Sequence, residues 1–191
     1  EIKSGKYSEK STENIDYLFV KSTRYTKNNH WRILNILTFT KNLIKTMKTF
    51  IKKENKPDVI IASSVHPLTW FAGYRISKKY DIPLIIEVRD LWPESLVAYG
   101  YLRSNSLLAK ALYQYEKWMY KNANEIVMSW EGGKDYIQDK GWTGQIDLNK
   151  VHFISNGFDS STFDKSIDYS DSELDNSEYI KVVYTGSIRE V

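Results

Sequence analysis

Four residues able to do chemistry fall within a few positions of one another: Arg89, Asp90, Trp92 and Glu94. They lie in Glu87-Val88-Arg89-Asp90-Leu91-Trp92-Pro93-Glu94-Ser95, directly after the apolar run Pro83-Leu84-Ile85-Ile86. A short apolar run of this kind reads as a buried parallel strand. In open α/β sheets, ligands bind in the crevice beyond the strands' carboxyl ends. A strand that delivers these side chains there offers a cation, carboxylates and a stacking surface together. The same residues also read as an Asp-based turn before a Pro-started helix. Spacing alone does not separate the two.

Three more segments share this character. Ser63-Ser64-Val65-His66-Pro67 leads from a strand end into a helix N-terminus. Free N–H groups and the helix dipole there favour an anion or a sugar hydroxyl, and His66 could donate a hydrogen bond. The alternative is a capping Ser64 beside a packed His66. Ser129-Trp130-Glu131-Gly132-Gly133 places glycines after a strand, where backbone can approach a ligand closely. It is not G-x-G-x-x-G, and Glu131 also reads as a charge at a helix start. Ile154-Ser155-Asn156-Gly157-Phe158-Asp159 carries an Asn-Gly pair that favours a left-handed turn, either a hinge or an ordinary loop. Lys41, Lys45, Lys48 and Lys52 make a stripe on one helix, with Lys53 and Lys56 nearby. Such a stripe suits anionic lipid or solvated surface. His30, His66 and His152 lie far apart, and no metal-ligand spacing occurs.

The elements that must position these residues follow from periodicity. Residues 1–13 read as irregular and 15–20 as a strand. Residues 30–53 form a helical pattern, with Ile33, Ile36, Leu37, Leu43, Ile44, Met47, Phe50 and Ile51 at three-to-four spacing. A strand over 58–62, a helix over 67–80 and a strand over 84–88 follow. Residues 104–123 read as a helix capped by Asn105 or Ser106, with Leu108, Leu112, Tyr115 and Met119 on one face. A strand over 125–129, a helix over 132–140 with Gly141 as its C-cap, and a strand over 151–154 complete the unit. Residues 159–178, rich in Ser, Asp and Asn, read as an exposed crossing, and 179–184 as a new strand. This alternation implies an α/β fold: a Rossmann-like parallel sheet with helices on both faces.

A chain of 191 residues suits one domain, or one domain and part of another. Its net charge of +3 hides an asymmetry. Residues 159–178 carry −6 and the rest +9, so the body prefers anionic partners. The absence of cysteine excludes disulfides and thiolate chemistry and fits a reducing compartment. No run approaches the roughly 20 apolar residues of a membrane span, and no signal peptide is visible. No base-stacking pattern appears, so sequence-specific nucleic-acid binding is not expected. The chain opens at Glu1 and stops at Val191 just after a strand-like run, which reads as a fragment at both ends.

Taken in order, five segments resemble those of bacterial glycosyltransferase family 4. Glu87 to Ser95 resembles a signature segment, and Pro57 to Ser64 the strand before it. Glu125 to Ser129 with Glu131-Gly132 is similar to a strand and Ser-Glu-Gly turn. Val151 to Phe163 is similar to an Asn-Gly turn at a domain junction. Lys181 to Ser187 resembles the opening strand and glycine loop of a second domain. The resemblance implies the GT-B architecture, two Rossmann-like domains facing a cleft. Residues 1–166 would be the acceptor-binding domain with its start missing, 167–178 the linker, and 179–191 the first strand of the nucleotide-sugar domain. The family's earlier elements would precede Glu1, and its acidic donor motif would follow Val191. Many members carry a His-Asp-like pair where this chain has Arg89-Asp90, and arginine stays protonated and cannot act as a base.

The resemblance implies a retaining transferase that moves a sugar from a UDP- or GDP-linked donor to an acceptor. The acceptor is expected to be a lipid-linked glycan of surface-polysaccharide biosynthesis. No metal or other cofactor is expected. Asp90 would orient the acceptor hydroxyl, Arg89 would neutralise phosphate or position Asp90, and Trp92 would stack on a sugar ring. Ser64, His66, Glu94 and Glu131 would line the acceptor cleft, and Asn156 and Gly157 would shape it. Gly186, Ser187 and Arg189 would approach the donor diphosphate. The setting would be cytoplasmic, at the inner membrane face, with Lys41, Lys45, Lys48 and Lys52 touching anionic lipid. A nucleotide-sugar epimerase of the same architecture, or a non-catalytic Rossmann-like binding module, are the alternatives. Loss of a central strand exposes apolar sheet edge. The 191 residues alone are therefore expected to be inactive and marginally stable; a sharp cooperative melt from a monomeric sample would contradict the stability part.

Overall fold

The computed structural model describes residues 7–12, 15–27, 29–53, 56–64, 66–162, 170, 175 and 178–184. The chain divides into two units, residues 1–154 and 155–191. The first unit opens with β1 (Tyr7–Ser11) and β2 (Asp16–Val20), an antiparallel hairpin. The irregular start expected over residues 1–13 is thus corrected over its described part: Tyr7–Ser11 pairs residue for residue with Val20–Asp16. Its polar side chains had hidden a strand whose stability comes from the ladder. Helix α1 (His30–Lys53) follows. Asn42 and Asn35 on α1 donate to the carbonyl of Lys21 and the hydroxyl of Ser22, which ties the hairpin's exit to the helix.

The alternating part then runs β3 (Ile60–Ser63), α2 (Leu68–Tyr80), β4 (Leu84–Val88), α3 (Glu94–Ala98), α4 (Leu107–Asn122), β5 (Glu125–Met128), α5 (Gly133–Asp139) and β6 (Val151–Phe153). The strands form one parallel sheet in the order β3-β4-β5-β6. Helices flank it, as the α/β, Rossmann-like class requires. Right-handed crossovers that step one strand at a time in one direction keep their helices on a common face. Accordingly Ala62, Leu84, Ile86, Val88, Ile126, Met128 and Val151 pack with Trp70 of α2, Met119 and Tyr120 of α4 and Ile137 of α5. Full burial of each large aliphatic side chain in this layer stabilises by about 1.5–3 kcal/mol. The alternate strand positions Ile85 and Val127 are half-buried, and Ile61 is 64% exposed.

Local chemistry sets the helix ends. The Ser106 hydroxyl accepts the Ala109 N–H at 3.1 Å, so Ser106 rather than Asn105 caps α4. After α5, Gly141 adopts φ +67°, its N–H meets the Gln138 carbonyl and that of Trp142 meets Ile137. This left-handed closure turns Trp142 back into the core. The face of α4 differs from expectation. Met119 is buried and Tyr115 packs against the core as expected, but Leu108 is 60% exposed, and Ala109, Glu116 and Tyr120 are buried instead. On α1, Ile33 and Leu37 are likewise more than half exposed, whereas Ile51 is buried. In the second unit, Tyr179–Tyr184 does not form the expected strand among the described residues. Its apolar side chains are exposed.

The second glycine after β5, Gly133, serves packing. A Cβ at Gly133 would collide with Met128 Sδ and lie 3.0 Å from its Cβ and Cγ, while Met128 is 1% exposed. The close approach that glycine permits here is therefore of α5 to its own strand. Gly133→Ala is expected to overpack this contact and destabilise by about 1–3 kcal/mol in chemical denaturation. Gly144→Ala, where a Cβ meets nothing within 4 Å, should change stability little.

Candidate functional site

Parallel pairing brings the carboxyl ends of β3, β4, β5 and β6 to one edge. Ser64, just past β3, is buried at 2% exposure. Its N–H donates to the Glu87 carbonyl at 3.1 Å, and its hydroxyl accepts the Arg89 N–H at 3.0 Å. Ser64 therefore joins the ends of β3 and β4 and does not cap α2, whose N-terminal position is Pro67. Two of the sequence-derived site residues, Ser64 and Arg89, are thereby brought together. Thr69 reinforces the same turn by donating to the carbonyls of Ser63 and His66 at 2.9 and 2.8 Å.

His66 sits in this turn, with Phe39 of α1 packed edge-on at 6.0 Å. Burial, and then the positive charge of Arg32, hold its imidazole below the ordinary value, so it is neutral near pH 7. Its Nδ1 is buried with no hydrogen-bond partner among the described residues. Past β4, the Arg89 and Asp90 residues are exposed. Trp92 is half-buried, and its Nε1 is also buried with no partner among the described residues. The peptide bond to Pro93 is cis, and Pro93 opens α3.

Glu94 is already engaged. Its Oε2 accepts from the Tyr113 hydroxyl at 2.7 Å and from Lys140 Nζ at 2.6 Å. Burial raises this carboxyl, but the bonds from Lys140 and Tyr113 and the ammonium charge outweigh it and the net shift is downward. Glu94 thus clamps the loop after β4 to α4 and α5. Lys140 also sits 4.2 Å from the Tyr113 ring centroid. At the ends of β5 and β6 lies a cavity of about 380 Å³, lined by Trp130, Glu131, Lys134 and His152 among others. Glu131 is placed there beside a cation and an indole. His66, Arg89, Asp90 and Trp92 do not line this cavity.

One cluster escaped sequence reasoning. Glu116, fully buried, accepts from the Tyr120 hydroxyl at 2.8 Å and the Tyr136 hydroxyl at 2.9 Å. Burial pushes its carboxyl up to about 8 despite those bonds. The Glu116–Tyr120 spacing of one helical turn was visible in the sequence, but Tyr136 arrives from another helix. A folded value above the ordinary one means the neutral acid stabilises the fold. That contribution is whole below about pH 4.5 and is lost as pH rises through about 8. Between the two values the loss is about 1.4 kcal/mol per pH unit. Glu116→Gln should remove this slope, read from urea midpoints of both proteins between pH 5 and 9 (roughly, by linkage).

The remaining sequence-derived residues fall in the second unit. Asn156 and Gly157 are exposed, and neither adopts the left-handed backbone expected of an Asn-Gly turn. Just beyond them, Asp159 accepts from the N–H and hydroxyl of Ser161 and the hydroxyl of Thr162. Those bonds hold its carboxyl below the ordinary range. Gly186, Ser187 and Arg189 lie outside the described residues. No described helix is long and apolar enough to cross a membrane.

No individually curated protein matches the chain significantly. The family description Glycosyltransferase Family 4 matches residues 5–162. That span holds the whole parallel sheet, its connecting helices and the strand-end edge with Ser64, Arg89 and Asp90. With most of its length matched, the chain belongs to Glycosyltransferase Family 4, which marks it as a glycosyltransferase.

Proposed function

We propose that this glycosyltransferase transfers a sugar from a nucleotide-diphosphate donor, UDP- or GDP-linked, to a lipid-linked glycan in bacterial surface-polysaccharide synthesis, with retention. The observation that carries the reading is the strand-end edge of β3 and β4. There a buried serine fixes the Arg89 backbone, and two buried polar atoms, His66 Nδ1 and Trp92 Nε1, lack partners among the described residues. A buried donor or acceptor left unpaired costs about 1–3 kcal/mol. An acceptor rich in hydroxyl groups could relieve that cost at both positions.

In this reading the acceptor oxygen bonds to the anomeric carbon as the bond to the diphosphate oxygen breaks on the same face. The hydroxyl proton passes to the departing diphosphate. Asp90 orients the hydroxyl, and Arg89 offsets phosphate charge. Trp92 packs against a sugar ring, and Glu131 with Lys134 borders the cavity at β5 and β6. The donor is held by Gly186, Ser187 and Arg189, with Asn156 and Gly157 at the junction. The protein acts at the inner face of the membrane, which Lys41, Lys45, Lys48 and Lys52 contact.

The first test is a thermal-shift panel of UDP-, GDP- and dTDP-sugars on the full-length protein. Stabilisation by one nucleotide class supports the reading and names the base. Asp90→Ala should then lower turnover by roughly 10²–10⁴-fold with an unchanged melting temperature. Unchanged turnover would remove Asp90 from the site.

A further inference from the structure

The loop between β4 and α3 carries Asp90 and Trp92 and is pinned at both ends. At its entry the Arg89 N–H donates to the buried Ser64 hydroxyl at 3.0 Å. Leu91 packs against the core, and the Ser95 N–H closes the turn on the Leu91 carbonyl at 2.9 Å. At its exit stands Glu94, the first residue of α3. Two donors converge on one of its oxygens, Oε2: Lys140 Nζ at 2.6 Å and the Tyr113 hydroxyl at 2.7 Å. Lys140 is the C-cap of α5 and Tyr113 lies on α4, so the exit is tied to two helices of the core layer. Lys140 is itself held, with its ammonium 4.2 Å from the Tyr113 ring centroid and 5.3 Å from that of Tyr136. Burial alone would lower this ammonium, but the bond and charge of Glu94 outweigh it and the net shift is upward. Cation and carboxylate therefore both stay charged near pH 7.

We propose that Lys140, with Tyr113, is a positioning residue for Asp90 in sugar transfer. Asp90 is exposed and, among the described residues, its carboxylate has no hydrogen-bond or ion-pair partner. Its place is therefore set by the backbone that carries it. Ser64 fixes the residue before Asp90, and the clamp on Glu94 fixes the chain after it. Removing Lys140 leaves the Glu94 carboxylate with one neutral donor, the Tyr113 hydroxyl. Small displacements matter here, because a reacting group misplaced by about 1 Å can lose roughly 10²-fold in rate. Trp92 lies on the same loop between Asp90 and Glu94, so the clamp sets the indole as well. Neither Lys140 nor Tyr113 touches substrate in this account; both act through Glu94. The assignment rests on the role given to Asp90 above and extends the machinery to α4 and α5. It also gives Glu94, expected from the sequence in the acceptor cleft, a different task, since Oε2 is spent on the clamp.

The test is a double-mutant cycle on the full-length protein. Transfer is read as radiolabelled sugar passing from the nucleotide sugar that the thermal-shift panel selects into an organic extract of bacterial membranes. Lys140→Met keeps the stem and removes the charge, and should lower turnover by roughly 10–10²-fold with the donor KM unchanged. Lys140→Arg, which can both bond Glu94 and lie over the rings, should restore most of it. Tyr113→Phe should give a smaller loss. In an Asp90→Ala background, Lys140→Met should cost nothing further. Lys150→Met is the structural control: it removes bonds to the Lys121 and Ala123 carbonyls and should lower stability with turnover unchanged. Loop position is read without substrates by fluorine NMR of the fluorotryptophan-labelled protein, with the Trp92 resonance assigned through Trp92→Phe. That resonance should shift or broaden in Lys140→Met, while that of Trp31 on α1 stays. An unmoved Trp92 resonance, or turnover losses that add across the cycle, would overturn the positioning role. A loss in Lys140→Met with none in Asp90→Ala would overturn it too, since the clamp would then act on another group. No incorporation by the wild-type protein would overturn the transfer reading itself, and this role with it.

Discussion

Alignment of the four strand ends depends on one constraint: the apolar face of the parallel sheet must meet α2, α4 and α5 in register. Leu84, Ile86 and Val88 alternate on β4, and the helices bring Trp70, Tyr120 and Ile137 against that face. A shift of one residue in any strand would turn its apolar set away from the helices. Two glycines let the layers close. At Gly73 a Cβ would stand 3.0 Å from Ala62 and Leu84, and at Gly133 it would strike Met128. The packing that keeps β3, β4, β5 and β6 level also puts Ser64 beside Arg89 and Glu131 at the mouth of β5.

Polar groups inside this layer are held by partners of two kinds. Glu116 stays neutral near pH 7 and spends its two oxygens on tyrosine hydroxyls from α4 and α5. Glu94, closer to solvent, is held ionised by Lys140 and Tyr113. The two carboxyls are bridged electrostatically through Lys140, which bears on both. The clamp at Glu94 fixes the start of α3 and with it the loop that displays Asp90 and Trp92. A salt bridge this exposed contributes modestly to stability, so its effect is mainly positional.

Charge divides the molecule by sequence region. The acidic stretch after residue 158 balances a body whose cations gather on α1 and α2. The strand-end edge itself carries mixed charge, with Arg89, Asp90, Glu131 and Lys134.

The strand-helix alternation was legible because wholly apolar strands and amphipathic helices have different periods. The positions of α1, α2, β4, α5 and β6, a cap at Asn105 or Ser106 and the left-handed Gly141 could all be read from neighbours in sequence. So could the clustering of Arg89 and Asp90 at the end of a strand. The hairpin strand Tyr7–Ser11 could not, because a polar strand is defined by the partner it bonds. The buried face of α4 was misread in part because Leu108 is apolar yet mostly exposed, while Glu116 is acidic yet buried against two hydroxyls. Ser64 was legible as a polar residue at a turn, but its bond to Arg89 joins positions 25 apart. Sequence by itself determined the strands and helices of the alternating parallel sheet and where reactive side chains would cluster, since those depend on local periodicity. Only tertiary structure decided which polar groups found partners, because hydrogen bonds and burial are set by residues far apart in the chain.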